Sequence, residues 1–124
     1  MPVIPAPSTP THELGSTRFT SLATPSRGSL ETSIWWVEIE PGTPATPHQL
    51  TREELFVVLD GEARVRIGDA TEVARVGDAI AVPPNQEFEI APSSTQPLRM
   101  LCCMPTGGQA IIEQGDPFTP PWAQ

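Results

Sequence analysis

The side chains best suited to chemistry in this sequence are two that lie six residues apart, His48 and Glu54. An imidazole and a carboxyl group can act as a general base and acid, and both are also common ligands of divalent metals. The adjacent cysteines Cys102 and Cys103 add two thiols. The chain has no Lys, which excludes Schiff-base chemistry and the lysine-containing phosphate loop.

Charge and hydropathy exclude several classes of partner. The 124 residues include seven Arg and 15 Asp or Glu, for a formal net charge of −8, so the basic patch that nucleic acid requires is missing. The first residues do not resemble a signal peptide, and no apolar run is long enough to cross a bilayer. A disulfide between adjacent cysteines is sterically poor. We therefore expect a reduced, cytoplasmic protein that binds neither nucleic acid nor membrane.

The elements that must position His48 and Glu54 are short strands. Apolar residues nowhere recur at helical spacing over a useful length, whereas residues 63–67 alternate cleanly between apolar and charged. Turn signals at Asp60-Gly61, Gly68-Asp69 and Gly77-Asp78 separate the apolar runs. This pattern predicts an all-β sandwich or barrel. The predicted strands are Arg18–Ala23, Glu31–Glu40, Glu54–Asp60, Ala63–Ile67, Glu72–Val76, Ala79–Val82, Glu87–Ala91, Leu98–Met104 and Gln109–Glu113.

The length of the chain and the proline-rich composition of its two ends predict one domain with an N-terminal and a C-terminal extension. Residues 1–16, rich in Pro, Ser and Thr, are expected to form a flexible arm, and residues 17–113 the barrel. Residues 114–124 form a strap that contains three prolines and Trp122. The strap is expected to pack on the surface of its own barrel or of a neighbour, and a role in the pocket is the alternative.

The spacing of four residues carries a family resemblance. Gly42, His48, Glu54 and Gly61 follow one another at the intervals of the first cupin motif, and Leu50 stands where that motif has its second His. The chain therefore resembles a small single-domain cupin. The implied fold is the cupin double-stranded β-helix, also called a jelly-roll barrel.

A second stretch resembles the second cupin motif. Gly77 and Pro83 match it, and Asn85 replaces a Gly, which is tolerable because Asn accepts a left-handed conformation. Phe88 stands where the motif has its last His, and Pro92 replaces an Asn. The resemblance covers approximately residues 31–104. It also implies a homodimer, because cupins commonly pair through an outer sheet.

The resemblance implies a metal site that is degenerate in this chain. The ligand positions of the family fall on His48, Leu50, Glu54 and Phe88, so two of the four are apolar and carry no donor atom. We therefore expect no cofactor. Two alternatives stay open: a divalent metal held by His48 and Glu54 and completed by water or substrate, and a thiolate ligand from Cys102 or Cys103.

Without a metal, His48 and Glu54 could lie close enough to share a hydrogen bond in apolar surroundings. Burial raises the pKa of a carboxyl group, so the pair could serve as acid and base in the isomerisation or cyclisation of a small hydrophobic molecule. The alternative is a hydrogen-bonded polar pair that only shapes a binding pocket.

Trp36, which lies on the same side of its strand as Glu38, is expected to face outward as a dimer contact. The expected pocket residues are Trp35, Leu50, Phe56, Val58, Phe88 and Cys102.

Overall fold

Eleven β-strands and two short 3-10 helices form the secondary structure of residues 2–124, the part of the chain that the computed structural model describes. All nine predicted strands are present with bounds within two residues of those predicted, so the all-β prediction is confirmed. Met1, the first residue of the predicted arm, lies outside the described residues. The strands are β1 (His12–Leu14), β2 (Thr17–Ala23), β3 (Thr32–Ile39), β4 (Gln49–Leu50), β5 (Glu54–Asp60), β6 (Glu62–Ile67), β7 (Ala70–Arg75), β8 (Ala79–Val82), β9 (Phe88–Pro92), β10 (Leu98–Pro105) and β11 (Ala110–Ile111).

Two strands were not predicted, β1 and β4. β1 lies inside the predicted arm and pairs antiparallel with β2 across a turn at Gly15, whose φ is +59°. The arm is therefore partly ordered as an edge strand. Segments of three and two residues are too short to show the alternation by which strands are recognised, and only their pairing partners define them.

The strands form two layers. The larger sheet is antiparallel with the order β1-β2-β3-β10-β5-β8, and a smaller sheet has the order β7-β6-β9. An isolated bridge between His48 and Phe88 connects β9 to the chain just before β4, and β4 pairs with β11. The smaller layer thereby extends to five strands. The two layers form the predicted jelly-roll barrel.

Side-chain alternation places the core between the layers. On β10, Met100, Cys102 and Met104 are buried, and Cys102 pairs with Trp35 on one side and Phe56 on the other. Trp35 faces inward, as predicted from parity, and is 3 % exposed. Trp36 faces outward, where the Arg99 guanidinium lies 4.6 Å from its ring centroid. The period of two along each strand thus separates the interior from the outer face.

One motif glycine is required by a turn and by a close approach. Gly61 ends β5 with a φ of +78°, and a Cβ built on it would lie 2.4 Å from the carbonyl oxygen of Pro97. Gly77 also has a positive φ, +93°, but its Cβ would meet no atom within 4 Å. Of these two glycines, only Gly61 excludes a side chain both because of its backbone conformation and because a Cβ would clash with neighbouring backbone atoms.

The C-terminal strap packs on its own barrel. Phe118 pairs through its backbone with Ala110, and the Trp122 ring stacks on Phe19 with centroids 3.6 Å apart. The Ser21 hydroxyl donates to the Trp122 carbonyl at 2.7 Å, and the Ser33 hydroxyl donates to the Ala123 carbonyl at 3.0 Å. These bonds hold the strap against β2 and β3.

Candidate ligand cavity and acid–base site

A cavity of about 200 Å³ lies inside the barrel. Its lining is mainly apolar, and among the described residues that line it there is no Arg. The polar lining residues are His48, Glu54, Cys102 and three threonines, Thr17, Thr43 and Thr46. The apolar lining residues are Leu14, Phe19, Trp35, Val37, Ile39, Pro44, Leu50, Phe56, Phe88, Ile90, Met100, Met104, Ala110, Phe118, Pro120 and Trp122. Such a cavity suits a small ligand that is largely apolar.

Seven of the eight residues predicted for the site line this cavity. The exception is Val58, which is only 1 % exposed but does not line the cavity. Along β5 the cavity lining ends at Phe56. Val58, the next inward-facing residue, belongs to the packed core, because alternation predicts which face a residue occupies but not where empty space stops.

Glu54 is a buried carboxyl group without a protein partner. It is the first residue of β5, where it pairs with Val82 of β8, and it is 5 % exposed. Within residues 2–124, its side chain makes no hydrogen bond and no ion pair. Burial raises the pKa of Glu54 from its ordinary 4.5 to about 8. At neutral pH the group is therefore mostly a neutral carboxylic acid, which can donate a hydrogen bond.

His48 is held as a neutral base. Its Nδ1 lies 2.7 Å from the Thr46 carbonyl oxygen, and since a carbonyl only accepts, Nδ1 carries the proton and Nε2 keeps its lone pair. Burial lowers the pKa of His48, and the bond to Thr46 opposes that effect. Two backbone hydrogen bonds with Phe88, at 3.0 and 2.9 Å, and contact between the two rings fix the position of the imidazole.

His48 and Glu54 share the cavity but are not bonded to each other. The direct hydrogen bond considered from the sequence is absent among the described residues, because Thr46 binds Nδ1 and the imidazole lies against Phe88. The arrangement places a proton acceptor and a proton donor on the lining of one apolar space. A ligand in that space can contact both groups.

The cysteines lie on opposite faces of β10. Cys102 is buried and lines the cavity, and burial raises the pKa of its thiol well above the usual range, with the charge of Glu54 acting in the same direction. Burial also raises the pKa of Cys103, which is half-buried. Both are free thiols. Cys102 is therefore a protonated thiol at neutral pH.

The donor set at the cavity does not fit a divalent metal. Of the four ligand positions implied by the motifs, Leu50 and Phe88 are buried apolar side chains, 2 % and 1 % exposed. Within residues 2–124, no group of three or more His, Cys, Asp or Glu side chains is arranged to hold an ion. Catalytic metal sites generally use about three protein ligands, and of the four positions implied by the motifs only His48 and Glu54 carry a donor atom.

Comparison with known proteins identifies the family. A family model described as "Cupin domain" matches residues 35–104, more than half of the chain. The chain is a cupin. No curated protein matches its sequence significantly.

Solved structures show the same fold for this cupin at low sequence identity. An RmlC-like cupin from Shewanella frigidimarina is 16 % identical to this chain, with a TM-score of 0.65. The match covers 75 % of this chain and 78 % of the Shewanella chain. KdgF from Halomonas sp. is 17 % identical with a TM-score of 0.66, over 77 % and 84 % of the two chains. Vicilin from tomato is 18 % identical with a TM-score of 0.73, over 86 % of this chain and 32 % of its own.

Several lining residues of the cupin were not predicted to belong to the site. Leu14 comes from the unpredicted strand β1, and Phe118, Pro120 and Trp122 come from the strap. The strap thus lies against its own barrel and also contributes to the cavity lining. The one feature of the sequence that indicated this contribution was the proline-rich segment that leads to Trp122.

In residues 2–124, no helix has the length and hydropathy needed to cross a membrane.

Proposed function

We propose that this cupin binds a small, mainly apolar molecule in its cavity and moves protons on it without a metal, as an isomerase or cyclase would. Glu54 is the acid and His48 is the base. The observation that carries the proposal is the unpartnered Glu54 carboxyl group, 5 % exposed, on the lining of the same apolar cavity as a neutral imidazole. Buried polar groups normally have partners, and a ligand would supply this one.

The chemistry follows from the two protonation states. A ligand C–H bond breaks, its proton moves to Nε2 of His48, and the electron pair forms a C=C bond as a carbonyl oxygen on the ligand takes the Glu54 proton. On a β,γ-unsaturated carbonyl ligand the product of this step is a dienol; return of the His48 proton to its γ carbon moves the C=C bond into conjugation, the oxygen-bound proton returns to Glu54, and both residues are restored. Proton transfer of this kind contributes a factor of roughly 10² to 10⁴ in rate.

The alternative is a cupin that binds the molecule without converting it. The observation that favours this non-catalytic function is the absence of a direct hydrogen bond between His48 and Glu54 in the described structure. Two groups that are not bonded to each other can each bind a separate polar atom of the ligand without exchanging protons with it. The two functions differ in what loss of the imidazole does. A base is needed for turnover, whereas a solvating group is needed for affinity.

Two further features belong to the proposal. We propose a homodimer formed through the outward face of the larger sheet, where Trp36 is half-buried and Leu55 and Val57 are 40 % and 36 % exposed. We also propose a reducing, cytoplasmic setting, which is supported by two free cysteines.

Binding is tested with ethylbenzene as an apolar probe, in the presence of EDTA, by chemical-shift changes in NMR spectra of the labelled protein. We expect shifts confined to the cavity lining. Ala110→Leu, which adds volume to the lining, should weaken binding, whereas the matched Ala81→Leu at an exposed position of β8 should not. Binding that requires an added divalent metal, or no binding at all, would contradict the proposal.

Proton transfer is tested with phenylacetone, whose benzylic protons exchange with D₂O when a base removes them. The wild-type protein should accelerate the exchange at least about tenfold over His48→Ala, while both proteins bind the probe. Equal exchange rates with equal binding would leave only the non-catalytic function. Lost binding in His48→Ala would assign the imidazole to affinity instead.

A further inference from the structure

The chemical class of the ligand is constrained by the charge of the cavity lining. The chain has seven cationic side chains, all Arg, and none of those described lines the cavity. Arg18 is paired with Glu38 and Glu40, and Arg66 with Glu87 and Glu89. A carboxylate or phosphate in the cavity would thus meet no cation, and transfer of an unpaired anion into an apolar site is strongly unfavourable.

Glu54 supplies the second constraint. Glu54 is 5 % exposed as a residue, lines the cavity, and makes no side-chain hydrogen bond to the described residues. The other titratable groups that face the cavity or act on Glu54 are His48, Cys102 and Cys103, and none of them is cationic at neutral pH. Since no positive charge stabilises the carboxylate, the neutral acid is the form present, and its O–H needs an acceptor.

The dimensions of the cavity give the third constraint. An engineered apolar cavity of about 150 Å³ holds one benzene molecule, so this cavity of about 200 Å³, which is open on one side, encloses a part of a ligand of roughly eight non-hydrogen atoms. The lining includes the faces or edges of Trp35, Phe56 and Phe88, with Phe56 and Phe88 in an edge-to-face arrangement at 6.1 Å. Aromatic side chains on the lining can make the same edge-to-face or offset contacts with a ring of the ligand, so they favour a ring-containing molecule.

We propose that the cavity selects an uncharged, ring-containing carbonyl compound whose oxygen accepts a hydrogen bond from Glu54, and rejects carboxylates and phosphates. The inference rests on the proposed ligand cavity and specifies which molecules enter it. An organic ammonium ion is a less suitable occupant, because it would require Glu54 to ionise and both charges to leave water. A plain hydrocarbon would leave the buried acid without a partner.

The test compares four probes that share one benzene ring and differ in one group: acetophenone, ethylbenzene, benzoate and benzylammonium. Affinities are measured by titration with fluorescence from Trp35 and Trp122, which line the cavity, at pH values from 6 to 9.5. At pH 6 to 7, acetophenone should bind roughly fivefold more tightly than ethylbenzene, the difference expected for one net hydrogen bond. Benzoate should bind at least about tenfold more weakly than acetophenone.

Two variants of Glu54 separate hydrogen bonding from shape. Glu54→Leu should bind ethylbenzene and acetophenone equally, since it removes the donor. Glu54→Gln keeps an N–H donor, so it should keep the acetophenone preference and show none of the decline expected for the wild type above pH 8. Both variants remove a buried ionisable group and are expected to fold.

The outcomes distinguish this inference from the proposed function. Tightest binding of benzylammonium, or equal binding of acetophenone and ethylbenzene by the wild type, would overturn the carbonyl assignment while leaving the cavity as the ligand site. A preference for benzoate would overturn the charge reasoning. If none of the four probes binds, the proposed function itself fails.

Discussion

Burial of Glu54 should make the stability of this cupin depend on pH in an unusual direction. Its pKa is about 8 in the folded protein and near the ordinary 4.5 once unfolded, so between these values the folded state binds more protons. The free energy of unfolding then falls as pH rises. The stabilising contribution is complete below pH 4.5 and is lost as pH increases through 8.

The size of the effect follows from the two pKa values. At about 1.4 kcal/mol per unit, the interval from 4.5 to about 8 corresponds to roughly 5 kcal/mol, of which roughly 3 kcal/mol is already lost at pH 7. Glu54→Gln cannot ionise and should lack this term. Relative to the wild type, the variant should therefore gain several kcal/mol of stability between pH 5 and pH 9. His48, whose pKa burial lowers, contributes in the opposite sense below pH 6.5 and is common to both proteins.

The assay is urea unfolding followed by tryptophan fluorescence at pH 5, 6, 7, 8 and 9. Glu53→Gln is the matched control, because Glu53 is the exposed residue next to Glu54 in the chain. Its curve should run parallel to that of the wild type. If the difference between Glu54→Gln and the wild type stays constant within about 0.5 kcal/mol from pH 5 to 9, burial does not raise the pKa of the Glu54 carboxyl group.

Three other predictions test the motif assignment, a turn and the assembly. The double variant Leu50→His, Phe88→His should take up about one divalent metal ion per subunit, measured by elemental analysis, and no uptake would count against the mapping of the motifs. Gly61→Ala should destabilise the protein by at least about 2 kcal/mol in urea unfolding, because a Cβ there meets backbone, whereas Gly77→Ala should lose only about 1 kcal/mol; equal losses would refute the steric argument. Trp36→Glu should shift the proposed dimer to monomer in sedimentation velocity, since a charge would replace an outward aromatic ring, and an unchanged sedimentation coefficient would exclude this face as the interface.

The local pattern of the chain was sufficient for the fold. Short apolar runs closed by Gly and Pro indicated the strands, and two motifs in order indicated a cupin, which the family model and the structural neighbours confirm. Parity also separated Trp35 from Trp36, because side chains alternate along a strand whatever the strand packs against. The resemblance to the cupin motifs likewise implied that two of the family's ligand positions are occupied by apolar residues, Leu50 and Phe88.

Tertiary structure decided the contents of the site. Val58 has the parity and the character of a lining residue, yet the cavity ends before it, since empty space depends on how distant strands pack. The strap and β1 reach the cavity only because hydrogen bonds and pairing across the fold bring them there, as Ser21 does for Trp122. The sequence by itself determined that one imidazole and one carboxyl group, His48 and Glu54, fall at positions of the first motif. Only the folded barrel leaves Glu54 without a partner in an apolar space, because its burial and its lack of hydrogen bonds depend on residues far apart in the chain.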